Sequence, residues 1–334
     1  MALGRLPDFI IIGAAKCGTT SLHKYLSMHP EVSVGDTEEV YFADPKEPEF
    51  FAVDSVYEKG LDYYSKLFSS ARKDQICGEA STIYTLYPSF PHVASRISAA
   101  IPDVKLIYIM RNPVDRAYSF YVQIIHNFQD ATKNYSISRT FEECIFPGKY
   151  PNRAKRDTFY APFDEHLKDE PGTFLDGGKY YTQISEYFKY FDRSQMLFLL
   201  FDEFIHYPEL VLKNVCEFLA IDSTFNFTEK DKVAMNITND YFKNIKRILT
   251  IKSLKRIPFV HKVGRVIPDK FKMKLINIFM NNDILKSNDI WLPKEMLPET
   301  RMYLADFYSV EINKLENLLE LDFSHWKRKM NIIL

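Results

Sequence analysis

Gly13, Lys16, Cys17, Gly18, Thr19, Thr20 and Ser21 crowd into one short stretch directly after the apolar run Phe9–Ile12. The β-branched run reads as a buried strand, Gly13 breaks it, and a helix is expected to start near Gly18. Strand, glycine turn and helix N-terminus together make an anion site, because unpaired backbone N–H groups and the positive end of the helix dipole face outward. Gly13 and Gly18 have the spacing of the glycines in the nucleotide loop Gly-x-x-x-x-Gly-Lys-Ser/Thr. Here Thr19 takes the lysine's place and Lys16 lies inside the loop. Such a loop suits a phosphate-like group but is not one built for Mg-ATP.

A second chemical segment runs from Lys105 to Ser119. An apolar strand ends at Arg111, and Asn112 and Pro113 open a new helix, with proline where a missing N–H costs nothing. Arg111 then projects from the C-terminal edge of the strand. Ser119 falls about two turns into the helix, on a face that could turn back toward Arg111. A guanidinium and a hydroxyl make a compact phosphate clamp. An arginine paired to a neighbouring helix and a serine packed in mid-helix would leave the same pattern. Together the two segments fit one ligand with phosphate-like groups at both ends.

The elements that must hold these residues alternate strand and helix, the pattern of a parallel sheet covered by helices. Strands are expected at Phe9–Ile12, Val32–Val34, Lys105–Met110 and Met196–Phe201. Helices are expected at Thr19–Met28, Phe90–Ala100, Val114–Asn127, Tyr181–Phe191 and Glu209–Leu219. Leu304, Phe307, Leu315, Leu318 and Leu319 recur at helical spacing and predict a long packing helix from Pro298 to Leu321, with Trp326 capping the core. The expected fold is α/β: a central parallel sheet flanked by helices, in a single domain with a helical C-terminal part. Residues 1–225 would form the core, with an excursion at 128–178, and residues 226–334 a mainly helical cap ending in the packing helix. Residues 243–274 are rich in Lys and Arg; they read either as a solvated amphipathic helix pair or as a basic wall facing an anion.

With 334 residues, 46% of them apolar, the chain can bury a sizeable core. A net charge of −1 gives no signal for nucleic acid or a membrane surface. No apolar stretch approaches the roughly 18 residues of a membrane span, and the N-terminus does not read as a signal peptide. Cys17, Cys77, Cys144 and Cys216 are scattered, without a metal or disulfide pattern, so a cytoplasmic setting and no metal are expected.

On the two motifs the chain resembles the P-loop sulfotransferases that use 3′-phosphoadenosine 5′-phosphosulfate (PAPS). Their 5′-phosphosulfate loop, Arg/Lys-x-Gly-Thr-Ser/Thr, is here Lys16-Cys-Gly-Thr-Thr-Ser21. Their 3′-phosphate motif, Arg-Asp/Asn-Pro-x-x-Arg-x-x-Ser, is here Arg111-Asn-Pro-Val-Asp-Arg-Ala-Tyr-Ser119. Within that superfamily the chain is most similar to the heparan-sulfate sulfotransferase-like branch and its bacterial relatives. Met28-His-Pro-Glu-Val32, Glu38-Glu-Val-Tyr-Phe42 and Cys77-Gly-Glu-Ala-Ser81 resemble segments of that branch, and the last is similar to the end of its third strand.

The resemblance implies sulfuryl transfer from PAPS, without a metal, to a hydroxyl or amine of a small-molecule, glycolipid or glycan acceptor. Lys16 would offset charge on the leaving phosphate. Cys17, Gly18, Thr19, Thr20 and Ser21 would hold the 5′ end of the cofactor, and Arg111 and Ser119 the 3′ end. Glu39 corresponds to the family's catalytic glutamate and is the expected base. His126, on the helix after Ser119, is a second candidate, although relatives with a histidine in this helix carry it where this chain has Gln123. Glu79 and Ser81 are expected to line the acceptor cleft. Ala80 replaces a lysine found in several relatives, and Glu38 replaces the lysine often found before the catalytic glutamate. The competing reading, a nucleotide-dependent P-loop kinase, would need a lysine at position 19 and a magnesium-binding acid.

Overall fold

Five short segments build one parallel sheet in the order β2-β3-β1-β4-β5. They are β1 (Phe9–Gly13), β2 (Val32–Val34), β3 (Ile76–Ala80), β4 (Lys105–Met110) and β5 (Met196–Leu200). In this computed structural model residues 4–35, 47–131, 140–149, 172–227 and 294–330 are described. β1 is central and every residue in it is buried, which is why it reads as an unbroken apolar run rather than an alternating one. The sheet and its flanking helices bear out the α/β expectation.

β3 carries no such run, and hydrophobic pattern alone misses it. Its Gly78 lies against the Phe9 ring of β1, where a Cβ would come within 2.1 Å of Cζ. Glycine is therefore required by close approach of the two strands. Glu79 is 1% exposed yet sits in the strand because both carboxylate oxygens accept hydrogen bonds.

Several helices differ from expectation at their ends. The helix expected from Phe90 begins at Val93. The one expected to reach Phe191 spans Tyr180–Tyr187. Phe201 does not end β5 but opens a short helix, Phe201–His206. The long C-terminal helix is Pro298–Leu319, and it packs on the helix Tyr180–Tyr187. There Glu311 accepts from the Thr182 N–H at 3.1 Å and the Thr182 hydroxyl at 2.7 Å. Trp326 is fully buried, with its ring centroid 4.5 Å from that of Phe323, and so caps the core.

The sheet order has a direct bearing on function. The connection after β1 runs to β2 at one edge, and the connection after β4 runs to β5 at the other. Between the C-terminal ends of β1 and β4 the winding reverses, and ligands of open α/β sheets bind at such a point.

The chain divides into two compact units. One comprises Met1–Tyr121, Phe141–Met235 and Met296–Leu334; the other comprises Val122–Thr140 and Asn236–Glu295. The sheet belongs to the first. No helix among the described residues is long and apolar enough to cross a membrane. The basic stretch 243–274 lies outside the described residues.

Candidate active site

The turn after β1 is tied to β4 at its start, where Ala14 N–H donates to Ile109 O at 2.9 Å. Cys17 N–H then donates to Ala14 O at 3.1 Å. Lys16 takes a left-handed backbone, φ 72°, and Gly18 another, φ 93°. Gly18 is the N-cap of the helix Thr19–Leu26; no side chain caps that terminus and its first turn holds no acid. No acid of that first turn therefore opposes an anion arriving at the helix dipole. Thr19 and Ser21 are buried, while Thr20 is exposed.

Gly18 also answers a packing need. A Cβ there would lie 3.1 Å from two carbons of the Phe201 ring. The same ring lies 4.8 Å beneath the guanidinium carbon of Arg111, a cation–π contact. Arg111 Nη1 in turn donates to Lys16 O at 3.3 Å. Loop and arginine, 95 positions apart in sequence, thus meet over one aromatic floor. The guanidinium points toward the glycine turn.

The Arg-Asn-Pro segment folds as its residue types dictate. Asn112 Oδ1 caps the helix Pro113–Ala131 by accepting from the N–H groups of Val114 (3.1 Å) and Asp115 (3.3 Å), and Pro113 fills the first helical position. Arg116, the second arginine of the motif, is structural: it is 1% exposed and its Nη2 donates to Phe174 O. Gly177 makes room for it, since a Cβ there would lie 2.4 Å from Nη1. Ser119 is buried in the same helix. Asp115 bonds Arg301 at 2.9 Å and Lys329 at 2.8 Å. Burial alone would raise its carboxyl, but Lys329, Arg301 and Arg111 outweigh burial and hold it below the usual range. The C-terminal helices are thereby pinned to the turn that carries Arg111.

Cys17 is fully buried, and burial raises its thiol against the opposing effect of Arg116 and a hydrogen bond with Tyr180. It packs in the loop as a neutral thiol, not as a nucleophile. Tyr180 and Phe201 are contributors that sequence reading missed. Only the nearby Gly177-Gly178 pair hinted at a tight spot.

Glu79 and Ser81 stand at the end of β3, next to β1, and are bonded to each other. Ser81 Oγ donates to Glu79 Oε2 at 2.9 Å, and the Tyr64 hydroxyl donates to Oε1 at 3.0 Å. Ser81 Oγ also accepts from the Glu49 N–H at 3.0 Å, and Thr82 Oγ1 donates to Glu47 at 2.7 Å. These bonds tie the segment after residue 46 to the end of β3. Glu38 and Glu39 lie outside the described residues. His126 is on the helix Pro113–Ala131, and its side chain also lies outside them. No group of three or more His, Cys, Asp or Glu residues that could hold a metal occurs among the described residues.

Burial raises the Glu79 carboxyl from its ordinary range to about 7, against hydrogen bonds from Ser81, Tyr84 and Tyr64 and with repulsion from Glu47. The stability carried by the protonated acid is complete below the unfolded value and is lost as pH rises through about 7. Wild-type protein should therefore lose more stability than Glu79→Gln between about pH 5 and about pH 8, by at most about 3 kcal/mol. Parallel melting curves for the two proteins across that range would show that Glu79 folds already ionised.

Fold and site together define an α/β protein whose anion loop and facing arginine occupy the reversal point of its sheet. The chain belongs to the sulfotransferase domain family, whose model matches residues 6–264. It is 30% identical over 227 residues to the human bifunctional heparan sulfate N-deacetylase/N-sulfotransferase 2, covering 67% of this chain and 23% of that protein. It is 31% identical over 218 residues to the mouse heparan sulfate glucosamine 3-O-sulfotransferase 3B1, covering 65% of this chain and 47% of that one. The chain thus spans about a quarter to a half of the length of these curated relatives. A crystal structure of a sulfotransferase from Alicyclobacillus acidocaldarius shares the fold, with a TM-score of 0.59 and 24% identity over 97% of this chain and 99% of that one.

Proposed function

We propose that this protein transfers a sulfuryl group from PAPS to a hydroxyl or amine of a small-molecule, glycolipid or glycan acceptor, by in-line displacement. The observation that carries the reading is the meeting of the uncapped loop and Arg111 over Phe201. A helix terminus free of acids suits a 5′-phosphosulfate, and a guanidinium at the next strand end suits a 3′-phosphate. Family membership and the names of the heparan sulfate relatives, one modifying nitrogen and one oxygen, support sulfuryl transfer and a glycan-type acceptor.

Bound PAPS supplies the sulfuryl group and a phosphate leaving group. The chain supplies positioning and charge, as in phosphoryl transfer. N–H groups of Gly18, Thr19 and Thr20, with the hydroxyls of Thr19, Thr20 and Ser21, hold the phosphosulfate oxygens. Lys16 meets the charge that the departing phosphate oxygen gains. Arg111 and Ser119 hold the 3′-phosphate. Glu39 takes the acceptor's proton as the acceptor atom bonds to sulfur, with His126 as the alternative proton acceptor. No metal takes part. The protein acts in the cytoplasm, a setting in keeping with four buried cysteine thiols.

Thermal shift tests this. 3′-Phosphoadenosine 5′-phosphate (PAP) should raise the melting temperature well beyond the shift given by Mg-ATP. Arg111→Ala should weaken PAP binding by about 30- to 100-fold, the worth of a charge-assisted contact to phosphate. Equal shifts by PAP and Mg-ATP, or undiminished PAP affinity in the variant, would count against the reading.

A further inference from the structure

We propose that Tyr180 is a positioning residue that couples the two anion pockets, holding the Lys16–Gly18 loop and the Arg111 backbone at a fixed separation through one phenolic hydroxyl. The inference rests on the proposed PAPS reading and extends it to a side chain outside both motifs.

β4 ends at Met110, so the backbone groups of Arg111 stand just past the ladder that pairs β4 with β5. Both find the same partner: the Tyr180 hydroxyl donates to Arg111 O at 2.7 Å and accepts from Arg111 N–H at 3.3 Å. A single side chain thus does for Arg111 what a neighbouring strand would otherwise do. The third contact of that oxygen is Cys17 Sγ, 3.7 Å away in the loop between Lys16 and Gly18. One atom therefore touches both pockets, at the back of each.

The ring is as constrained as the hydroxyl. Tyr180 is 1% exposed, with ring centroids 5.9 Å from Tyr108 of β4 and 5.9 Å from Trp326. Trp326 is held in turn, since its carbonyl accepts from Asn112 Nδ2 at 3.4 Å. Burial raises the Tyr180 phenol well above its ordinary value. It therefore stays protonated and keeps donating to Arg111 O over any working pH. A shift of Tyr180 would move the strand end and the loop together, and a ligand gripped at both ends registers such a shift in its affinity.

Tyr180→Phe removes the hydroxyl and leaves the ring. PAP affinity, measured by calorimetry on the full chain, should fall about tenfold. The KM for PAPS should rise in step, while the KM for the acceptor stays within about twofold. In an Arg111→Ala background the same change should cost less than threefold, because a ligand gripped at one end only no longer registers the separation of the two pockets. Tyr187→Phe is the control: it removes another buried hydroxyl, one that donates to Tyr84 O at 2.9 Å, and should leave PAP affinity unchanged. Unaltered PAP affinity in Tyr180→Phe, an equal loss in both backgrounds, or an equal loss in Tyr187→Phe would overturn the inference. Wild-type protein that fails to bind PAP would instead overturn the PAPS reading beneath it.

Discussion

Lys16→Met should lower kcat by about 10²- to 10³-fold while changing the KM for PAPS by less than about threefold. The asymmetry follows from where charge appears. In PAPS the bridging oxygen is bonded to sulfur and carries little charge; as that bond breaks, the phosphate side gains negative charge that Lys16 can meet. An interaction stronger in the transition state than in the ground state is lost from kcat. PAP resembles the departing group, so its affinity should fall by about tenfold even though that of PAPS does not. The backbone permits a clean test. Lys16 already holds φ 72° with a side chain attached. Methionine therefore adds no Cβ strain, and the ligand-free melting temperature should stay within about 1 °C of wild type. A kcat within threefold of wild type would remove Lys16 from the chemistry.

The second large effect belongs to Glu39→Gln, with an expected fall in kcat of about 10²- to 10⁴-fold, the range for a lost general base. PAP affinity should not change, because the role proposed for Glu39 is to take a proton from the acceptor, which PAP binding does not involve. Glu38→Gln provides the adjacent comparison and should retain most of the turnover. A carboxylate whose ordinary value is about 4.3 is a weak base for a hydroxyl, so its contribution depends on placement. The described segment downstream is anchored by the Glu49 N–H on Ser81, Glu47 on Thr82, and the Phe51 N–H on the Tyr84 hydroxyl at 3.3 Å. Reversed behaviour of the two glutamates would move the base by one position; wild-type turnover in both would leave His126 as the proton acceptor to test.

How far the site is legible from sequence depends on what kind of contact makes it. The loop and the Arg-Asn-Pro turn are local devices, in which glycine spacing, an N-cap asparagine and a first-turn proline carry their own geometry. Both are found where the residues predict them. β3 is illegible to hydrophobic pattern because its centre is Gly78-Glu79, and both are explained only by partners elsewhere: the Phe9 ring for the glycine, and Tyr64 with Ser81 for the acid. Tyr180 and Phe201 reach Arg111 from remote parts of the chain, and the Gly177-Gly178 pair before Tyr180 marks a tight spot without saying what it packs against. Phe201 reads as the last residue of a strand until the next helix claims it. The second arginine of the motif, Arg116, is a residue type that suits phosphate, yet its side chain fills the space beside Gly177.

β1 and β4 are immediate neighbours in the sheet, paired from Phe9 and Lys105 onward. Adjacent strands lie about 4.8 Å apart whatever their side chains. On the proposed reading, the spacing of the two grips is therefore a gauge cut into the hydrogen-bonded backbone itself. Remodelling peripheral segments to accept a different recipient molecule leaves that gauge untouched, so choice of donor and choice of recipient can diverge independently in descendants of this scaffold.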